Sequence, residues 1–181
     1  MTVLTTSKWT IDVAHSEIQF KVKHLAISNV SGTFKLFSGE VQAETDKFQN
    51  AQVSFQLLTS SINTNNSERD THLKSTLFLD VEQFPEILFN GFIRKNQPTS
   101  QLVGELTIKG ITQPVTIEIE HTGTGTGRFG DTRAGFEGNG KINRKDFGLT
   151  FHLLTEAGSL VVGEEIKLHF DIQLIKQAPE V

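Results

Sequence analysis

Six histidines, His15, His24, His72, His121, His152 and His169, are the side chains best suited to acid–base or metal chemistry near neutral pH. Three imidazoles with a carboxylate could hold zinc, and one alone could serve as a general base. None falls in an H-E-x-x-H or H-x-H spacing, so such a site would have to be assembled from His15, His24 and His72 across the fold. Serines are plentiful but no G-x-S-x-G elbow is present, and Asp46, Asp80 or Asp146 could orient a histidine no better than any surface aspartate. Cysteine is absent, which removes thiol catalysis, disulfides and thiolate metal sites. The run from Gly125 to Gly130 satisfies G-x-G-x-x-G, but a strand ends before it and a glycine-rich strand follows. A dinucleotide fingerprint must open a helix, so this run reads as a hairpin loop. The residues assign no catalytic group, no metal and no cofactor. The charged grouping that carries most weight is Arg69-Asp70 with His72, which could pair with Arg144 or Asp146 and fix a lid.

The elements that would position these groups are nearly all strands. Residues 67–85 alone read as helix: Asn66 or Ser67 can cap it, Glu68 and Asp70 put acid in its first turn, and Leu73 and Leu77 recur at i, i+4 beside Phe78. Pro85 stops any continuation. Elsewhere apolar and polar residues alternate, as in Ile18, Phe20 and Val22 or Val53, Phe55 and Leu57. The same holds for Ile87, Phe89, Gly91 and Ile93, and for Leu102, Leu106 and Ile108. It holds again for Ala134, Phe136, Gly138, Gly140 and Ile142, and for Ile166, Leu168, Phe170, Ile172 and Leu174. Between Val30 and Ala43 the phase slips near Ser38-Gly39, where a bulge would bend the strand. About eight strands joined by short turns suit an antiparallel up-and-down barrel or a two-sheet sandwich, in one domain spanning residues 1–181.

Composition narrows the partners. A formal charge of -4 and a pI near 5.9 argue against a nucleic-acid surface. No window reaches the roughly 20 apolar residues of a membrane-spanning helix. The first residues show no basic region followed by an apolar run, so a cytoplasmic location is expected, or a periplasmic one if a leader precedes them. There are 14 Phe, no Tyr and one Trp, so the interior aromatic surface asks for almost no hydrogen bonds. Such a surface can be a filled core or the wall of an apolar channel. Leu88 and Phe92, apolar on the opposite side of their strand, could serve a homodimer or another partner if exposed.

The order of short motifs resembles one family. Trp9-x-Ile11-Asp12-x-x-His15-Ser16, then Ile18-x-Phe20, Val22-Lys23-His24-Leu25 and Gly32-x-Phe34 are similar to the opening of the YceI-like, polyisoprenoid-binding family. Arg69-Asp70-x-His72-Leu73-Lys74-Ser75 with Phe78, and Phe84-Pro85-x-Ile87-x-Phe89, resemble its central block. The match continues through Leu106 to Thr112, Ile142-Asn143-Arg144-x-Asp146-Phe147-Gly148 and Val162-Gly163-Glu164, so it runs from Trp9 to Leu174. It implies a lipocalin-like, extended eight-stranded antiparallel β-barrel with one short α-helix near the mouth. It further implies a non-catalytic protein whose channel holds a polyprenyl chain, an isoprenoid quinone or a fatty-acyl derivative, for storage, shielding or transport.

On that reading the channel would be lined by Phe20, Val22, Phe34, Phe55, Phe89, Ile108, Phe136, Ile142 and Phe170, with Leu73, Leu77 and Phe78 closing it. Arg69, His72, Arg144 and Asp146 would fix the lid or meet a head group. Two alternatives stay open: an enzyme acting on a small hydrophobe through His15, His24 or His72, and an interaction barrel with a filled core.

Overall fold

Period-two alternation makes each strand amphipathic, and a sheet with one greasy face must cover it; here it does so by closing on itself. The computed structural model describes residues 5–96, 98–151 and 161–179. Its eleven hydrogen-bonded segments are eight staves, because the first six form three broken ones. β1 (Ser7–Ile11) and β2 (Glu17–His24) are one stave, interrupted by a 3-10 turn at Val13–His15. β3 (Ser28–Phe34) and β4 (Phe37–Ala43) are the second, and β5 (Gln52–Leu58) with β6 (Ile62–Asn63) the third. β7 (Glu86–Asn96), β8 (Thr99–Ile108), β9 (Ile111–Thr126), β10 (Thr132–Asn143) and β11 (Val162–Lys176) complete the set. Each stave pairs antiparallel with the next in sequence. β11 then pairs with both β1 and β2, which closes the barrel and excludes the sandwich. Among the described residues β6 alone pairs on a single side.

Two boundaries differ from the sequence reading. The phase change in the second stave falls at Lys35 and Leu36, just before the expected Ser38-Gly39, leaving Leu36 exposed outside. The helix α1 is only Ser67–Lys74, much shorter than residues 67–85. Ser75 ends it: its backbone is extended, and both its N–H and its hydroxyl donate to the His72 carbonyl, at 3.1 and 2.6 Å. Local capping therefore stops the helix well before Pro85 is reached.

Apolar side chains gather at the two ends of the barrel. At the end where β1 begins and β11 finishes, Trp9, Phe48 and Phe136 form a plug, with ring centroids 4.9 Å apart for Trp9–Phe48 and 5.0 Å for Phe48–Phe136. His121 stacks on Phe136 at 4.7 Å, and burial there lowers its pKa from the ordinary histidine value. At the other end Phe34, Leu57, Leu79, Ile87, Phe147 and Leu149 pack under the helix segment.

Asp12 holds the break in the first stave. It accepts from Ala14 N at 3.1 Å and from Arg133 Nη1 at 2.6 Å, and lies 2.7 Å from His15 Nδ1. The His15 contact, then Arg133 and the Ala14 amide, hold its carboxyl below the usual carboxylate value, against the opposing effect of burial. A carboxylate with a depressed folded pKa stabilises the fold above its unfolded pKa of about 3.9, and that stabilisation is lost as pH falls through the folded value. Asp12→Asn is therefore expected to melt below wild type at neutral pH, the two curves converging as the pH drops below about 4. Parallel melting curves at every pH would contradict this role.

Candidate functional site

Between the plug and the lid end lies a cavity of about 270 Å³ whose exposed lining is entirely apolar. That is just below the roughly 300–1,000 Å³ of ordinary ligand pockets. The lining includes Phe20, Val22, Phe34, Phe55, Leu73, Phe78, Phe89, Ile108, Phe136, Ile142 and Phe170. Leu77 is a correction: it lies off the cavity and is 52% exposed, because the helix ends before it and the i, i+4 stripe never forms. Leu79, Ile62 and Ile87 were not singled out as lining, although they contribute.

Inward residues of a filled barrel would be fully buried. Here Phe20, Val22, Ile166, Leu168, Phe170 and Ile172 point inward yet stay only half-buried, because they border empty space. Glycine keeps that space open. A Cβ on Gly138 would collide with the Phe170 ring, and one on Gly32 with the Phe20 ring. Each ring thus occupies the space that a side chain on the neighbouring strand would take.

At the lid end the four charged or polar residues of the matched motifs act in separate places. Arg69 donates from Nε to Thr64 Oγ1 and from Nη2 to the Thr64 carbonyl, both at 2.8 Å. Asp70 Oδ1 accepts from Thr64 N at 2.9 Å and from its hydroxyl at 2.6 Å. This clamp on buried Thr64 ties the helix to the turn before it, rather than to Arg144 or Asp146 as the sequence suggested. His72 presents its ring to Phe78 and Phe151, both 5.2 Å away and nearly perpendicular, while Phe78 lines the cavity below. Asp146 is exposed, and its backbone carbonyl accepts from Gln113 Nε2 at 3.1 Å.

Arg144 is the unusual group, a cation only 2% exposed. Its guanidinium donates to four backbone carbonyls: Leu149 at 2.5 Å, Gly163 at 2.8 Å, Phe151 at 2.9 Å and Val162 at 3.3 Å. Burial pushes its pKa down, with the Glu164 carboxylate working in the other direction. The planar fork thus holds together two stretches of backbone at the lid end, 149–151 and 162–163.

The histidines do not converge. His15 pairs with Asp12, His72 packs on phenylalanines, and His24 sits half-buried on β2; His152 lies outside the described residues. Among the described residues, no three His, Asp or Glu side chains come together to hold a metal ion. Leu88 and Phe92 are half-buried, so they offer no broad exposed apolar face.

The pattern of the YceI-like domain matches residues 9–174. A UPF0312 protein of Staphylococcus aureus is 36% identical over 162 residues, covering 89% of this chain and 93% of its own. Among solved structures, the Campylobacter jejuni YCEI protein superposes with a TM-score of 0.71 at 29% identity, covering 87% of this chain and 91% of its own. A polyisoprenoid binding domain from Saccharophagus degradans superposes at 0.65 and 13% identity, covering 93% and 98%. At that identity the last likeness concerns the fold.

Proposed function

The chain belongs to the YceI-like domain family, and from that premise we propose that it is a non-catalytic binding protein holding a long isoprenoid or fatty-acyl amphiphile in the barrel channel. Storage, shielding or transport of that molecule would be its role. One observation carries the reading: a void runs between plug and lid whose exposed surface offers no polar atom. An alkyl or prenyl chain leaves no group unpaired there, whereas a polar ligand would lose its hydrogen bonds. The solved polyisoprenoid binding domain of the same fold supports the choice of ligand class.

Burial stabilises by about 0.8 kcal/mol per CH₂-sized group, so a five-carbon isoprene unit contributes roughly 3–4 kcal/mol gross. Immobilising the chain offsets part of that. With the head group held constant, each added isoprene unit is expected to tighten binding by about tenfold until the channel is full. Titration of a prenyl alcohol series by displacement of an apolar fluorophore measures this. Affinity independent of chain length would contradict the proposal.

A further inference from the structure

The outer face of β2, β11, β10 and β9 carries its charges in rows. Lys21 stands directly opposite Lys167, and Lys167 opposite Lys141. Four residues along each strand, Glu17, Asp171, Glu137 and Glu120 stand opposite one another in turn. Like charges directly opposite destabilise a sheet, so three adjacent lysines are a cost to the fold unless an anion joins them. Lys141 lies 3.4 Å from Glu165. Among the described residues no carboxylate is within ion-pair distance of Lys21 or Lys167. The three lysines line an outer groove with Gln19, Asn139 and His169, and two carboxylates, Glu118 and Glu165, line it too. The acidic row, about 13 Å away at 3.3 Å per residue, repels an anion toward the lysine end.

That groove meets a seam in the barrel wall. Pairing of β9 with β10 stops at Asn139↔Glu118, yet β9 reaches back to Ile111 and β10 runs on to Asn143. Pro114, with no amide proton for a ladder, stands in the unpaired stretch. Across the seam Ile117 faces Gly140: a Cβ there would meet the isoleucine side chain at 3.1 Å. Ile117 and Ile142 also line the channel, and their neighbours Thr116, Glu118, Gly140 and Lys141 line the groove, so the two approach each other at the seam.

We propose that Lys21, Lys141 and Lys167 bind the anionic head of the amphiphile, a carboxylate or phosphate, while its tail enters the channel through the β9–β10 seam. This rests on the channel reading above and adds a head-group site and an entry route to it. The first test compares palmitate with hexadecanol, which share a tail and differ in head charge. Wild type is expected to bind palmitate about tenfold tighter. K21Q/K141Q/K167Q is expected to abolish that preference and leave hexadecanol unchanged, and K21R/K141R/K167R to keep it. Inorganic phosphate is expected to weaken palmitate binding alone; phosphate that binds without competing would mark a free-anion site and overturn the assignment. The second test staples the seam with P114C/N143C in a chain that has no cysteine of its own. Oxidation is expected to slow palmitate uptake by about tenfold or more, reversed by reductant. Equal affinity for acid and alcohol, or uptake indifferent to the staple, would overturn the proposal while leaving the channel reading intact. Failure of wild type to bind either molecule would instead remove the channel reading itself.

Discussion

An Arg144→Met protein is expected to unfold about 3 kcal/mol more easily than wild type. Methionine keeps most of the side-chain volume and removes the cost of burying a charge, so packing and desolvation work in its favour. Against that, the carbonyls of Leu149, Phe151, Val162 and Gly163 lose the donor they share. A buried hydrogen bond to a charged donor contributes about 1.5–3 kcal/mol, and four losses outweigh the relief. Arg144→Lys is expected to fall between, because one ammonium cannot span both stretches of backbone. The urea midpoint measures the loss, and amide exchange at Leu149, which donates to the Arg144 carbonyl, should rise with it. A loss under about 1 kcal/mol would show that the four carbonyls find other partners.

Filling the channel separates an open barrel from a packed one. Val22→Trp places a large ring on a half-buried wall position opposite Ile166. In a filled core such a change costs about 1–3 kcal/mol through forced rotamers. In this barrel the ring enters the 270 Å³ void, so the melting temperature should stay close to that of wild type. Binding of a prenyl chain, in contrast, should weaken by about a hundredfold or more, since the ring takes the volume of several CH₂ groups. Isothermal titration alongside thermal melts reads both quantities from one preparation. A severe loss of stability with binding unchanged would mean that Val22 faces packed side chains.

What the sequence disclosed depended on whether the signal was local and periodic. Alternation placed Phe20, Phe89, Phe136 and Phe170 on the inner side because a two-residue period translates directly into a face. Barrel closure was not readable from periodicity, since pairing β11 with both β1 and β2 joins residues far apart in the chain. The helix was over-extended because its apolar spacing continues past Lys74, while the hydroxyl of Ser75 ends it by a hydrogen bond that no periodicity encodes. Leu77 was misplaced for the same reason. Phe48 left no pattern at all. It lies in the loop between β4 and β5 at a positive φ of 58°, and only the folded loop turns its ring into the plug. Arg144 could be noticed as a motif residue, but its engagement of four carbonyls follows from tertiary placement alone.

The proposed function depends on a channel that is empty of protein and wide enough for a hydrocarbon chain. Native mass spectrometry of the protein, purified without detergent, tests this most directly. A mass above that of the 20.1 kDa chain, lost on organic extraction and recovered as an isoprenoid or fatty-acyl molecule, is the expected result. Extracted protein that takes up no prenyl or fatty-acyl chain when one is supplied in excess would contradict it.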